Sequence, residues 1–158
     1  MAVISKIIKS LRQRLLDEFS PDVTADKFFL TVKEMQNDLQ HKGKVPRIAL
    51  GLNEDSNVPD AVFGKFDNLL SLRLVYSFAT EKAVDSVERI EEISDAVDKL
   101  KKAVQGTDNN SYLVSTVAQN GISKVSSISL VAEAKSAEIK RQHIDCTISI
   151  SYLTTYMN

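Results

Sequence analysis

The stretch LLSLRLVYSFATEKAVDSVERIEEISDAVDKLKKAVQG, residues 69–106, joins a strand pattern directly to a long helix pattern. Every second residue of its first part is apolar: Leu70, Leu72, Leu74, Tyr76 and Phe78. This alternation predicts a β-strand with one buried face. A strand that runs straight into an amphipathic helix predicts a two-layer domain, because the helix must fold back over a sheet to bury its apolar side.

The helix of this stretch is predicted to begin after Thr80, which is a suitable N-cap. Its apolar positions are spaced by three and four residues: Val84, Val87, Ile90, Ile93, Val97, Leu100 and Val104. This spacing predicts one apolar stripe along the helix. Acidic residues near the start and lysines near the end suit the helix dipole, and Gly106 suits a C-terminal cap.

Composition indicates an ordinary globular protein. The chain has 158 residues, 43% of them hydrophobic and 26% charged, and a formal net charge of -1. This length predicts a single domain. Within it we expect an N-terminal helix at 2–19, a sheet and central helix at 45–105, and C-terminal strands at 111–156. The near-zero charge argues against a protein whose main task is specific nucleic-acid binding. The single cysteine, Cys146, excludes an internal disulfide framework.

The first residues predict an amphipathic helix that ends at Ser20–Pro21. Its apolar positions are Ile4, Ile7, Ile8, Leu11, Leu15 and Phe19. The basic polar face fits an anionic membrane, a nucleic acid or solvent, and the small net charge of the helix favours solvent. Residues 1–19 lack the apolar core of a signal peptide, and no stretch is long enough to span a membrane. We therefore expect a soluble intracellular protein without membrane partners.

The segments that follow allow more than one structural interpretation. Residues 24–42 fit a second helix with apolar positions Phe28, Val32, Met35 and Leu39, but residues 28–32 also fit a strand. Residues 45–52 predict a short strand with Ile48, Leu50 and Leu52 on one face. Residues 53–68 then form a long connection, and connections of that length in compact domains often have a function.

The C-terminal part predicts a hairpin and a final strand. A polar turn at 107–111 leads to a strand at 112–118, and Asn120–Gly121 is a hairpin turn signal. A second strand covers residues 122–134, with Ile128 and Leu130 on one face and Val125 and Val131 on the other. Residues 133–141 predict a turn or a brief helix. The last strand alternates Ile144, Cys146, Ile148, Ile150 and Tyr152 with polar residues.

No motif for catalysis or cofactor binding is present. The five glycines form no phosphate-binding loop, and the nucleophile-elbow and zinc-protease motifs are absent. His143 and Cys146 lie three apart on a predicted strand and therefore point to opposite faces, so they cannot easily share a metal ion. Cys146 is better explained as a small core residue. We expect no catalytic, cofactor or metal site.

The order of predicted elements is helix, helix, strand, long loop, strand, helix, hairpin and strand. In this order the chain resembles the tail terminator (tail completion) proteins of long-tailed bacteriophages and related contractile assemblies. The resemblance covers most of the chain and is carried by the stretches ISKIIKSLRQRLLDEF, LRLVYSFATEKAVDSVERIEEISDAVDKL and HIDCTISISYLTTY. It implies an α+β fold, with a mostly antiparallel mixed sheet and helices packed on one face.

The resemblance also implies a structural role without a cofactor. Six copies would form a ring on the head-proximal end of the tail tube, stop its polymerisation and offer a surface to the neck. The implied partners are other copies of the chain, the tail tube protein, and neck or head-tail connector proteins. The implied location is the virion tail, after assembly in the host cytoplasm. A closed ring ends growth that an open filament would continue.

Residues of the long connection are our candidates for subunit or partner contacts: Asn53, Asp55, Val58, Asp60, Phe63 and Phe66. The polar faces of the hairpin strands are candidates as well. Other functions remain open at this point. These are another head-tail connector, neck or tube subunit, a small adaptor that binds a peptide along a sheet edge, and an enzyme without a recognisable motif.

Overall fold

The computed structural model of the chain describes residues 2–20, 22–23, 28–29, 45–52, 67–105, 122–138 and 140–154. These ranges contain two α-helices and five β-strands. In chain order they are α1 (Ala2–Phe19), β1 (Phe28–Phe29), β2 (Arg47–Leu52), β3 (Asp67–Ala79), α2 (Val87–Gln105), β4 (Ile122–Glu138) and β5 (Arg141–Thr154). The peptide bond before Pro46, just ahead of β2, is cis.

The strands form one sheet in the order β1-β2-β3-β5-β4. β1 pairs parallel with β2, and the other neighbouring strands pair antiparallel. β5 lies between β3 and β4, so Ile148 opposes Leu72 on one side and Leu130 on the other. The fold is α+β with a mostly antiparallel mixed sheet, which confirms the fold class implied by the resemblance.

One face of the sheet carries the hydrophobic core. Its fully buried side chains from β2, β3 and β5 are Ile48, Leu50, Leu70, Leu72, Leu74, Ile144, Cys146, Ile148 and Ile150. Directly opposed residues share a face of an antiparallel sheet, and each such pair removes apolar surface from water. The alternation predicted for 70–76 and for 144–150 is confirmed, whereas Phe78 is only partly buried against the core.

Both helices pack on this core face. In α1 the buried residues are four apart: Ile7, Leu11, Leu15 and Phe19. The Phe19 ring lies 4.8 Å from the Tyr76 ring, centroid to centroid, and so seats the end of α1 on β3. In α2 only the second half buries apolar residues completely, namely Leu100, Ala103 and Val104. The N-terminal helix and its end at Phe19 are confirmed.

The start of α2 differs from the prediction. The helix begins at Val87 and is capped by Ser86, not by Thr80. The predicted apolar stripe is wrong at its first three positions, because Val84, Val87 and Ile90 are 47%, 66% and 62% exposed. Ile93 and Val97 are partly buried against the core. The predicted cap at Gly106 lies outside the described residues.

Three further predictions need correction. Residues 28–29 form the strand β1 beside Ile48 and Ala49, so at these two residues the strand alternative is confirmed and the helix alternative is wrong. The rest of 24–42 lies outside the described residues. β4 continues to Glu138 because residues 135–138 pair with the start of β5, so a turn or helix at 133–138 is wrong. The connection predicted at 53–68 ends earlier, since β3 already begins at Asp67.

The remaining predictions are confirmed or lie outside the described residues. The strand predicted at 45–52 is confirmed as β2, although Leu52 is 41% exposed. In β4, Ile128 and Leu130 are buried and Val131 is exposed on the opposite face, as predicted, while the side chain of Val125 is outside the described set. The turn at 107–111, the strand at 112–118 and the Asn120–Gly121 turn also lie outside the described residues.

Candidate subunit interface

The six residues predicted to make subunit contacts belong to a segment that the structure does not describe. They are Asn53, Asp55, Val58, Asp60, Phe63 and Phe66. Their role stays a prediction. Among the described residues, a different surface has the features of an interface, and it lies where β3 leads into α2.

Ser86 fixes the first turn of α2. Its Oγ accepts a hydrogen bond from the backbone N–H of Arg89 at 3.1 Å and donates one to the Ala83 carbonyl at 2.7 Å. The backbone N–H of Ser86 donates to the same carbonyl at 3.0 Å. A serine at this position satisfies a backbone donor that the helix itself leaves without a partner, and residues 83–86 are thereby held in a defined turn.

Arg89 is the largest fully buried side chain among the described residues, and it is 1% exposed. Its Nε donates to Gln142 Oε1 at 3.1 Å, its Nη1 to the Lys82 carbonyl at 2.9 Å, and its Nη2 to the Arg141 carbonyl at 2.9 Å. A buried guanidinium is tolerated only when its donors are satisfied. This arginine therefore ties α2 to the segment before it and to the start of β5.

Sequence reasoning missed Arg89, although the pattern contained a signal. Arg89 lies four residues before Ile93 and eleven before Leu100, so helical spacing alone places it on the core-facing side of α2. A charged residue in an apolar stripe points to a buried hydrogen-bond network. Its acceptors could not be inferred, because two of them belong to β5, more than fifty positions away.

Thr80 also connects the segment before α2 to the neighbouring elements. Its backbone N–H donates to the Lys140 carbonyl at 3.1 Å, and its Oγ1 accepts from the Lys82 backbone N–H at 3.1 Å. The same hydroxyl donates to Glu92 Oε2. Thr80 thus links the end of β3, the β4–β5 turn and α2, so the exposed segment 81–86 is anchored at both ends.

Three apolar side chains are exposed on this segment and on the first turn of α2 that follows it: Val84, Val87 and Ile90. We call them the α2 patch. Single exposed apolar residues are common, but a contiguous group is a typical contact surface. From their exposed fractions, the three side chains present on the order of 300 Å², which is near the lower end for the largest apolar patch of a monomer.

The α2 patch faces the flank of the molecule that carries β4. Val87 and Gln105 lie about five helical turns apart and therefore share a side of α2. The Gln105 side-chain amide donates to the Ile128 carbonyl of β4 at 3.2 Å, so this side of α2 lies towards β4. Ile90 and Lys99 lie about two and a half turns apart, on opposite sides. Lys99 reaches α1 instead, with Nζ 4.6 Å from the centre of the Phe19 ring.

Acidic residues surround the α2 patch. Glu81, Asp85, Glu88 and Glu91 are all exposed within or beside it, and Lys82 is the one exposed base of the segment 81–91. The helix N-terminus favours such carboxylates. The surface at the start of α2 is therefore apolar at its centre and negative around it.

The opposite flank of the molecule carries a basic helix. α1 contacts β2, which lies two strands away from β5 in the sheet, whereas α2 contacts β4 and β5. Residues 2–16 of α1 contain Lys6, Lys9, Arg12 and Arg14 and no acidic residue. Lys9, Arg12 and Leu16 are spaced by three and four and so share a side of the helix. Lys9 is exposed, and Arg12 and Leu16 are partly exposed.

The sheet face opposite the core carries two polar cross-strand pairs. Arg73 bonds Asp145 through two nitrogens, Nη2 at 2.9 Å and Nε at 3.3 Å. Ser77 Oγ lies 2.6 Å from His143 Nδ1. A serine beside a histidine can form a nucleophile and base pair. Here the serine is 0% exposed, so a substrate has no access to its hydroxyl.

Cys146 and Tyr76 behave as core residues. Burial raises the pKa of the Cys146 thiol to about 12, and the charge of Asp145 adds to the shift. Burial likewise raises the pKa of Tyr76 to about 12, with a smaller effect from Asp22. A thiol that stays protonated is a poor nucleophile. The assignment of Cys146 to the core is confirmed, and His143 lies on the other face of the sheet, as predicted.

Within the ranges described, no group of three or more histidine, cysteine, aspartate or glutamate side chains is arranged to hold a metal ion. Neither α1 nor α2 is long and apolar enough to cross a membrane. No model of a known protein family matches the chain, and no curated protein sequence matches it.

Proposed function

We propose that this protein is a ring-forming structural subunit of a phage-type tail. In this role, six copies close into a ring that ends the tail tube and joins it to the neck. The observation that carries the proposal is the α2 patch, a group of exposed apolar side chains on an anchored backbone. The kind of assembly is taken from the resemblance in element order to tail terminator proteins.

The anchoring of the patch supports an assembly role. A surface held in one conformation loses little conformational entropy on binding, so a small apolar area contributes more to affinity. Arg89 and Ser86 hold the segment 81–86 by buried or short hydrogen bonds. This arrangement favours a permanent contact surface over a loop that adapts to many ligands.

The test is an assembly experiment with a matched pair of variants. The protein is analysed by size exclusion with light scattering and by negative-stain imaging, alone and with the tail tube protein of the same phage. We expect six-fold rings, and tubes of limited length when tube protein is present. Val87→Glu should prevent assembly, whereas Val131→Glu should not. Both valines are 66% exposed, but Val131 lies on the sheet face opposite the core, so the second variant controls for the substitution itself.

Other outcomes identify other functions. Unlimited tubes formed by this protein alone would indicate a tube protein. Rings that leave tube growth unchanged would indicate a connector or neck subunit. A monomer that forms no ring with or without tube protein, and does not stop tube growth, would refute the proposal and favour an adaptor or an enzyme.

A further inference from the structure

We propose that the α2 patch of one copy binds the basic side of α1 in the next copy, so that subunits associate head to tail. This inference rests on the proposed ring function and names the two surfaces that build it. A ring requires two different surfaces on the same chain, facing in different directions.

The two surfaces lie on opposite flanks of the sheet. The α2 patch is on the side of α2 that faces β4, the last strand of the order β1-β2-β3-β5-β4. α1 contacts β2, near the other end of that order. Both helices belong to the layer on the core face, so a neighbouring copy can place its α1 beside α2 with the two sheets side by side.

The charges of the two surfaces are complementary. Carboxylates of Glu81, Asp85 and Glu91 border the patch, and Lys9 and Arg12 occupy one side of α1. Charge complementarity of this kind selects the partner surface and its orientation. Leu16 lies on the same side of α1, packs against the core and is partly exposed, so its exposed part can add an apolar contact.

The same charges argue against a symmetric contact of the patch with itself. In a two-fold dimer through the α2 patch, each acidic border would face the identical acidic border of the partner. Like charges brought together in this way are destabilising. The patch is also small, since a stable interface buries about 800 Å² on each partner. Contacts of the surrounding charged residues must therefore be part of the interface, and only the head-to-tail arrangement makes them favourable.

The first experiment is a charge exchange measured by sedimentation velocity over a wide range of protein concentrations. Lys9→Glu and Glu91→Lys should each weaken self-association about tenfold or more, and the double variant should recover most of the loss. Glu133→Lys has the same charge change as Glu91→Lys at an exposed position of β4, on the sheet face opposite the core, so it should leave association unchanged. Circular dichroism checks that every variant is folded.

The second experiment mixes two defective copies. Lys9→Glu keeps a normal α2 patch, and Val87→Glu keeps a normal α1. Together they have one functional pair of surfaces, so the mixture should give a dimer of one copy each and no ring. This result is specific to a head-to-tail contact.

The outcomes separate this inference from the proposed function. Rings that tolerate both charge reversals, or a wild-type protein that stops at a two-fold dimer through the patch, would overturn the head-to-tail contact. In the first case the ring function would stand. Conversely, the expected charge exchange in an assembly that does not stop tube growth would support the contact and refute the terminator role. A wild-type protein that stays monomeric, and whose assembly on tube ends ignores the charge reversals, would also overturn the contact.

Discussion

Replacing Arg89 by methionine tests whether the buried arginine holds the start of α2 in place. Methionine has a similar length and fills much of the same space, so the substitution removes the hydrogen bonds with little change in packing. The acceptors left behind include the carbonyls of Lys82 and Arg141 and the side-chain amide of Gln142.

The size of the effect follows from these contacts. A hydrogen bond from a charged donor contributes about 1.5–3 kcal/mol, and breaking a buried charged network costs about 3–5 kcal/mol. Removing the charge also removes its desolvation cost, which offsets part of the loss. We therefore expect Arg89→Met to lower the free energy of unfolding by about 3 kcal/mol. Because domains of this size are stable by about 5–15 kcal/mol, the variant should still fold.

Urea unfolding followed by circular dichroism measures the change. With a slope of about 2 kcal/mol per molar urea, the midpoint should fall by about 1.5 M. Arg89→Lys should be similarly unstable, because one ammonium group cannot reach three acceptors in a fork. Lys82→Ala is the control, since only its backbone carbonyl binds Arg89 and its side chain is exposed. It should change stability by less than about 0.5 kcal/mol.

A second measurement probes only the segment before α2. Amide hydrogen exchange of residues 81–86 should be faster in Arg89→Met than in the wild type, by more than the global loss of stability explains. If Arg89→Met unfolds within about 0.5 kcal/mol of the wild type, and exchange of this segment is unchanged, the reasoning about the buried arginine is refuted.

Three further predictions concern the core and the opposite face of the sheet. Burial raises the pKa of Cys146 from 9.0 to about 12, so the thiol of the unfolded chain loses its proton at lower pH than that of the folded chain. The free energy of unfolding should therefore fall as pH rises from 9 towards 12. Cys146→Ala should make this fall less steep in alkaline denaturation. Leu72→Ala should cost about 3 kcal/mol in urea unfolding because Leu72 is 0% exposed, whereas Leu69→Ala, at 41% exposed, should cost less than about 1 kcal/mol. Asp145→Asn should cost about 1 kcal/mol at low salt and less in 1 M salt, because the ion pair with Arg73 is partly exposed.

The strands show where local pattern is sufficient. In β3 and β5, period-two alternation is continuous over many residues, and a shift of one residue would move the buried leucines and isoleucines to the face opposite the core. The pattern therefore fixed both the strand and its buried face. β4 is different at its end, since residues 133–138 are rich in alanine and charge and favour a turn or helix locally. Pairing of Lys135 with His143 and of Glu138 with Arg141 keeps them in the strand.

The start of α2 shows where pattern is ambiguous. Thr80 and Ser86 are both suitable caps. An apolar residue at position 87 or 90 gives the same sequence pattern whether its side chain is buried in the core of the chain or exposed on its surface. The choice is made by Arg89, whose acceptors include a side chain and a carbonyl of β5. Contacts between residues so distant along the chain have no local signal.

The sequence by itself determined the periodic elements: α1, β2, β3, the second half of α2, β5, and the burial of Cys146. Each of these depends on neighbouring residues that bury one side of a regular backbone, which is a local property. Only the tertiary structure decided the strand order, the length of β4, the start of α2 at Val87 after the Ser86 cap, and the exposure of the α2 patch. These features arise from pairing and hydrogen bonding between distant segments, so their energy depends on how the whole chain packs and not on any single stretch of residues.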